Sequence, residues 1–354
     1  MAHEPIRIRF LGDISFNDEY VSVLESGHNP FSGLSEVLTG ADLVVGNLEC
    51  LAQGKAENLE KKPRLKTTLK ALDALRHLNL GLVSLATNHY YDNLEEGFER
   101  TIGKLRDCGI ATIGAAQNPL DAQRPFIWEG KQRKVGFLNY VHSDTNPNVP
   151  EKARVYANEF DMKKIVQQIK ELKDRTDHMV VLLHWGGKCD YGYFPHKEQI
   201  AQAKAMIEAG ADAVVGHHTH TFQASMRHKG KPIFFSLGNF CFADIHSDNG
   251  IVKVRNSGRK SAVLELTFMP GASIEEKRFG FRINGTDLNV APSVVNEFAR
   301  WTGLFWLVRT IPGLYAIYYY LLRRWEPVHF HAQLHETTLL RVGIRKFKRI
   351  FGLA

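Results

Sequence analysis

Residues 213–223 read AVVGHHTHTFQ, three imidazoles set directly behind a short apolar run. The run 213–215 stops at Gly216, the pattern of a strand buried on both faces. The same arrangement recurs along the chain. Residues 6–11 lead to Asp13 in RFLGDISF, and residues 43–45 lead to Glu49 in LVVGNLE. Residues 82–85 lead to Asn88 and His89 in VSLATNHYYDN, and residues 180–183 to His184 in VVLLHWGG. Ligands of open α/β sheets gather outside the carboxyl ends of the strands. Five strand ends that each carry Asp, Glu, Asn or His therefore converge on one site. Oxygen and imidazole donors together suit a hard-to-borderline divalent cation. Within GHHTH, His218 and His220 lie two apart, so an extended segment projects both to one side. Taken singly, Asp13 reads as a turn or cap residue and His184 as a core histidine. Several imidazoles buried together without partners would be costly, which favours the ligand reading.

Between these points strand and helix patterns alternate. Residues 67–78 read as a helix before a strand at 81–85. A helix over 94–108 ends at Gly109 as its C-cap, and a strand follows at 111–113. Residues 134–140 form another strand, then the polar loop HSDTNPNVPEK (142–152) lies near the site mouth. Residues 161–175 place Ile165, Ile169 and Leu172 on one helical face, and 200–209 form a helix closed by Gly210. Residues 233–236 and 262–268 read as strands of a second sheet. The expected fold is α/β, a layered sheet-on-sheet core flanked by helices. The polar segment QGKAENLEKKPR (53–64) reads either as a solvated loop or as one that turns Lys61, Lys62 and Arg64 toward an anionic substrate.

The quoted motifs also carry a family likeness. GNLE, SLATNHYYDN, HWG, GHHTHTFQ and FFSLGNF occur in the order seen in CapA-like (poly-γ-glutamate capsule biosynthesis) proteins, and over residues 5–270 the chain resembles that family. The family belongs to the calcineurin-like metallophosphoesterase superfamily. The resemblance implies an α/β/β/α sandwich that binds one or two divalent ions, drawn from Mn, Fe and Zn. It implies that Asp13, Glu49, Asn88, His184, His218 and His220 are the metal ligands, with Glu49 between two metals. His89 takes the place of the general acid beside the leaving group, a role imidazole suits near neutral pH. Asp92 reads first as an N-cap for the helix beginning near Leu94, with Glu95 and Glu96 in its first turn, and second as the group that orients His89. His217 and Asp190 are the candidate substrate contacts. Two departures stand out. The usual Asp-x-His is Asp13-Ile14-Ser15 here, which leaves one metal a ligand short. The Glu that many relatives carry soon after HWG is absent, and Asp190 is its nearest substitute.

Composition sets the remaining bounds. The 354 residues, 44% of them hydrophobic, allow one large α/β domain with an appendage, or two domains. The expected division is a CapA-like domain over 5–290 and a helical, aromatic and basic extension over 291–354. MAHEPIRIRFLGD runs into the first strand without an apolar signal region, so a cytoplasmic location is expected. Cys50, Cys108, Cys189 and Cys241 are scattered and form no CxxC, which fits a reducing compartment and packing roles. In residues 303–322 an aromatic, apolar stretch is interrupted by Arg309 and Pro312, which argues against a membrane span. Residues 340–354 place Leu340, Ile344, Phe347, Ile350 and Phe351 at helical spacing, opposite mostly basic residues. That tail reads either as a peripheral element for an anionic membrane surface or as a packed terminal helix. Much of the net charge of +7 comes from it, and no nucleic-acid motif is present, so nucleic acid is not an expected partner.

Three function classes follow. The first is hydrolysis of a phosphoester by a metal-activated water. The second is a non-catalytic, polyanion-binding accessory in capsule or polyglutamate synthesis at the membrane. The third is hydrolysis or transfer at a polyglutamate amide. The ligand set argues for the first, and Ser15 for the second.

Overall fold

Two sheets packed face to face carry the chain in the computed structural model, which describes residues 4–54, 64–147, 149–247, 250–271 and 273–334. Strands are labelled β1 (Ile6–Ile14), β2 (Leu43–Leu48), β3 (Leu82–Ser84), β4 (Ala111–Ile113), β5 (Phe126–Gly130), β6 (Arg133–Val141) and β7 (His178–His184). They continue with β8 (Ala213–His217), β9 (Ser225–His228), β10 (Lys231–Phe234), β11 (Asn239–Cys241), β12 (Lys260–Phe268), β13 (Ile274–Asn284) and β14 (Asp287–Val290). The first sheet has the order β14-β13-β12-β1-β2-β3-β4, with β11 also beside β1; the second runs β9-β10-β8-β7-β6-β5. β1 to β4 are mutually parallel, as are β6, β7, β8 and β10.

The period-two geometry of a strand explains the layers. In β1, Ile6, Ile8 and Phe10 enter the cluster between the sheets, whereas Leu11 and Ile14 enter the one beneath the outer helices. In β7, Val180 and Leu182 face the middle, while Met179, Val181 and Leu183 face outward. Both faces of each strand are apolar because both are covered, and each such side chain contributes about 1.5–3 kcal/mol on burial. The helices α1 (Leu94–Asp107), α2 (Met162–Lys173), α3 (Lys197–Ala209), α4 (Ser293–Thr310) and α5 (Pro312–Leu334) lie outside the sheets. Phe98 and Leu105 of α1 pack on the first sheet; Ile165, Ile169, Leu172, Ala203 and Met206 of α2 and α3 pack on the second. The α/β/β/α sandwich implied by the sequence is the observed one.

Local signals placed most elements well. Asp161 caps α2, its Oδ1 accepting from Lys163 N at 2.8 Å and Lys164 N at 3.1 Å. Gly109 ends α1 with φ +72°, a backbone conformation that glycine adopts without steric cost. Two expectations need correction. The helix read over 67–78 is a 3₁₀ helix, Ala71–Leu78, preceded by a short strand at Lys66–Thr67. The strands at 233–236 and 262–268 do not share a sheet. Ile233 pairs in β10 with Val214 of the second sheet, whereas β12 pairs antiparallel with β1 of the first. Lys61, Lys62 and the tail 340–354 lie outside the described residues.

α4 and α5 form a hairpin joined through Ile311 and Pro312. The Trp301 ring of α4 stacks on Tyr193 at 4.0 Å and 7°. From α5, the Tyr318 hydroxyl accepts from Tyr193 N at 2.9 Å, and the Tyr315 hydroxyl donates to Pro195 O at 2.5 Å. The hairpin thereby grips the loop that follows HWGG.

Candidate metal centre

Strand register brings the polar residues together. Asp13, at the end of β1, lies opposite Asn47 of β2 on one side and Asn239 of β11 on the other. His184 ends β7 directly opposite His217, which ends β8. Gly12 permits the first alignment: a Cβ there would meet Gly238 O at 2.0 Å, so only glycine lets β1 pass the turn that positions Asn239.

Asp13 and Glu49 are fully buried. Asp13 accepts from Asn47 Nδ2 at 2.9 Å and from His218 N at 3.3 Å, and its carboxylate lies 3.5 Å from His217 Nδ1. Burial pushes the Asp13 carboxyl upward, but His217, His220 and His218 outweigh it and hold the group below the usual carboxylate range. His184 Nε2 is 3.2 Å from Glu49 Oε1, 2.8 Å from Asn88 Oδ1 and 3.1 Å from His218 Nδ1. Burial first, then the neighbouring His218 and His217, hold His184 well below the ordinary imidazole range. It is therefore neutral, the form that ligates a metal.

Two groups of donor atoms have the spacing a cation requires: Glu49, His184 and His218, and Asp13, Glu49 and His220. Cis ligands on a metal with bonds of 2.0–2.2 Å stand about 3 Å apart, close to the separations around His184 Nε2. Glu49 belongs to both groups, the place of a bridging carboxylate. Mixed carboxylate, amide and imidazole donors fit Mn, Fe or Zn. Cys50, Cys189 and Cys241 belong to hydrophobic clusters instead, as packing residues.

His218 and His220 do not reach the site from an extended strand. They sit beyond β8 with φ of +94° and +55°, and their rings are 5.9 Å apart. Left-handed backbone at a non-glycine residue costs of order 1–3 kcal/mol and collects at functional sites. This turn replaces the strand alternation expected from the sequence. His220 Nδ1 lies 2.9 Å from Asn239 Oδ1. His217 is buried beside Asp13, and the partly exposed Asp190 places Oδ1 3.1 Å from His218 Nε2. Asp190, with Asp144 and Asp13, draws His218 upward against the effect of burial. Ser15 donates its hydroxyl to Asn17 Oδ1 at 2.7 Å.

His89 and Asp92 adjoin the centre. Asp92 is not the cap of α1: the N-cap residue is Asn93, without a side-chain cap bond. The Asp92 carboxylate instead meets His89 Nδ1 at 2.6 Å and accepts from Leu65 N at 2.9 Å through the same oxygen. Anchored by the Leu65 amide, it fixes the orientation of the imidazole through Nδ1.

Sequence reasoning missed several contributors. Asn47 bonds Asp13 and lies 3.3 Å from His184 Nδ1, while Ser84 Oγ donates to Asn47 Oδ1 at 2.8 Å. A polar residue inside the buried run LVVGNL was its available signal. The Arg255 guanidinium lies 4.3 Å from the Tyr191 ring centroid, and that ring is 5.5 Å from His220. Nothing local in the sequence marks Arg255.

Comparison with known proteins adds independent findings. The family model described as bacterial capsule synthesis protein PGA_cap matches residues 7–244. The PGA biosynthesis protein CapA of Bacillus subtilis (strain 168) is 27% identical over 253 residues, 70% of this chain and 65% of that protein. The capsule biosynthesis protein CapA of Bacillus anthracis is 27% identical over 265 residues, 72% of this chain and 63% of its own. The chain thus spans just under two thirds of the length of these relatives. Among solved structures, the NAD nucleotidase NadN of Haemophilus influenzae is similar at 12% identity and a TM-score of 0.45, covering 92% of this chain and 61% of that one.

Proposed function

This chain belongs to the bacterial capsule synthesis protein family PGA_cap, and from that premise we propose that it hydrolyses a phosphoester with two divalent metals, in service of capsule or polyglutamate synthesis. The observation that carries the proposal is the pair of donor groups sharing Glu49 beside the His89–Asp92 pair. Bound divalent ions would activate water and offset the negative charge of the phosphoryl group. Asp13, Glu49 and His220 would hold one ion; Glu49, His184 and His218, with Asn88 beside His184, would hold the other. Asn47 and Asn239 fix Asp13 and His220 from behind, as outer-shell partners do. His89 delivers a proton from Nε2 to the departing oxygen, while Asp92 holds its other nitrogen. Arg255, laid across Tyr191, supplies positive charge for the substrate's remaining anionic groups.

The test is reconstitution of metal-stripped protein with Mn or Zn, followed by assay on a panel of phosphomonoesters and phosphodiesters. We expect two ions per chain and metal-dependent phosphate release. Arg255→Ala should keep its metal and raise KM about tenfold, the range for loss of a charge-assisted bond. Full metal occupancy without turnover on any phosphoester would replace this reading with that of a polyanion-binding accessory. Release of glutamate from a polyglutamate chain would replace it with amide chemistry.

A further inference from the structure

Of the eleven large apolar side chains exposed among the described residues, eight fall between residues 304 and 321, on the α4–α5 hairpin. They are ordered. On α4, Leu304 and Leu307 continue toward Ile311 at the tip, and Arg300 lies one turn behind them on the same face. On α5, Leu314, Ile317 and Leu321 follow at spacings of three and four, and Arg324 ends that row. The opposite faces are spent on the core, through Phe298, Phe305, Val308, Tyr315 and Tyr319. An apolar tip backed by arginines on both helices is therefore left outward. Such a contiguous patch is larger than scattered surface residues and marks an interaction site.

We propose that this hairpin docks the protein on the interfacial region of an anionic lipid bilayer. The charge pattern selects that occupant. Between residues 293 and 324 the charged side chains are Arg300, Arg309, Arg323, Arg324 and Glu297, and Glu297 is paired with Lys260. Arg309 lies over the Trp306 ring at 5.2 Å, and its Nη1 finds no hydrogen-bond partner among the described residues. The sequence beyond adds Arg341, Arg345, Lys346, Lys348 and Arg349 against two acids, Glu326 and Glu336. Apolar side chains seated among acyl chains, with arginines and the half-exposed Trp306 and Tyr320 at headgroup level, form an interfacial anchor. No helix among the described residues is long and apolar enough to cross a membrane, so the hairpin lies in the interface. A symmetric contact between two copies would instead bring like-charged arginine rims together.

The experiment uses the full chain and two sets of vesicles, phosphatidylcholine alone and phosphatidylcholine with about a third phosphatidylglycerol. We expect cosedimentation with the anionic set that weakens as salt is raised. Leu307→Glu/Ile317→Glu should reduce binding by about 100-fold or more, the low end of what burial of two such side chains contributes. Both residues are exposed, so melting temperature and metal content should stay at the parent values. A variant lacking residues 340–354 should bind more weakly but still lose its remaining binding when the double substitution is added. The proposal is overturned if the parent binds neither vesicle. It is overturned equally if the double substitution leaves binding intact while the deletion abolishes it, which would assign the anchor to the tail. A concentration-dependent dimer that the double substitution dissolves, without vesicle binding, would assign the face to a second copy.

Discussion

Glu49→Gln is expected to empty both metal positions at once, because Glu49 alone belongs to both donor groups. His184→Ala removes a ligand from one group, and His220→Ala from the other. Elemental analysis after reconstitution should therefore give stoichiometries that fall by one ion for each histidine variant and by two for Glu49→Gln. Loss of an outer-shell partner already weakens metal binding 10–100-fold, so loss of the bridging carboxylate should exceed about 100-fold. Metal also links to stability. Free ion at 100 times its dissociation constant stabilises the native state by about 2.7 kcal/mol, so chelation should lower the melting temperature of the parent. Chelation should leave that of Glu49→Gln unchanged. If Glu49→Gln retains the parent's metal content, the bridging assignment fails.

The second large effect lies at His89. The Asp92 carboxylate, fixed by the Leu65 amide, is held 2.6 Å from Nδ1, and under the proposed mechanism the imidazole would deliver its proton from Nε2. His89→Asn should bind the parent's complement of metal yet turn over esters with alkoxide leaving groups about 10²–10⁴-fold more slowly. A nitrophenyl ester, whose leaving group departs without protonation, should lose much less. Asp92→Asn should fall between parent and His89→Asn, because the imidazole stays while its orientation and charge support weaken. Equal losses on both ester types would remove His89 from the acid role.

Much of this architecture was legible along the chain because strands covered on both faces must be apolar throughout, as residues 180–183 are. The polar residue that ends each run then stands out. Partnerships between distant strands leave no such mark. Residues 233–236 and 262–268 are both largely apolar runs, yet one continues the second sheet and the other the first. Pairing is decided by which edge each reaches, not by its own residues. The same limit hid Arg255, whose relation to Tyr191 exists only after folding. Asp92 was misread for a different reason. A carboxylate just ahead of Leu94 satisfies the local capping pattern, but a buried imidazole three residues back competes for it and prevails, leaving Asn93 at the cap position. At His218 and His220, alternation failed because the backbone leaves the strand for left-handed conformations that propensity disfavours.

The junction at Asp13 also has a meaning in time. Its carboxylate leaves the ribosome well before the His218 amide that it accepts from, which is 205 residues further along the chain. β11, whose Asn239 lies opposite Asp13, comes later still. Closing such long segments carries an entropic penalty that contacts recover only once formed, which makes parallel, distant pairings slow steps. During synthesis the amino-terminal half exposes Asp13, Glu49 and Asn88 with no imidazole of the His184, His218 or His220 set beside them. The donor groups that share Glu49 are therefore assembled late in maturation, and an assembled centre certifies that both sheets have closed.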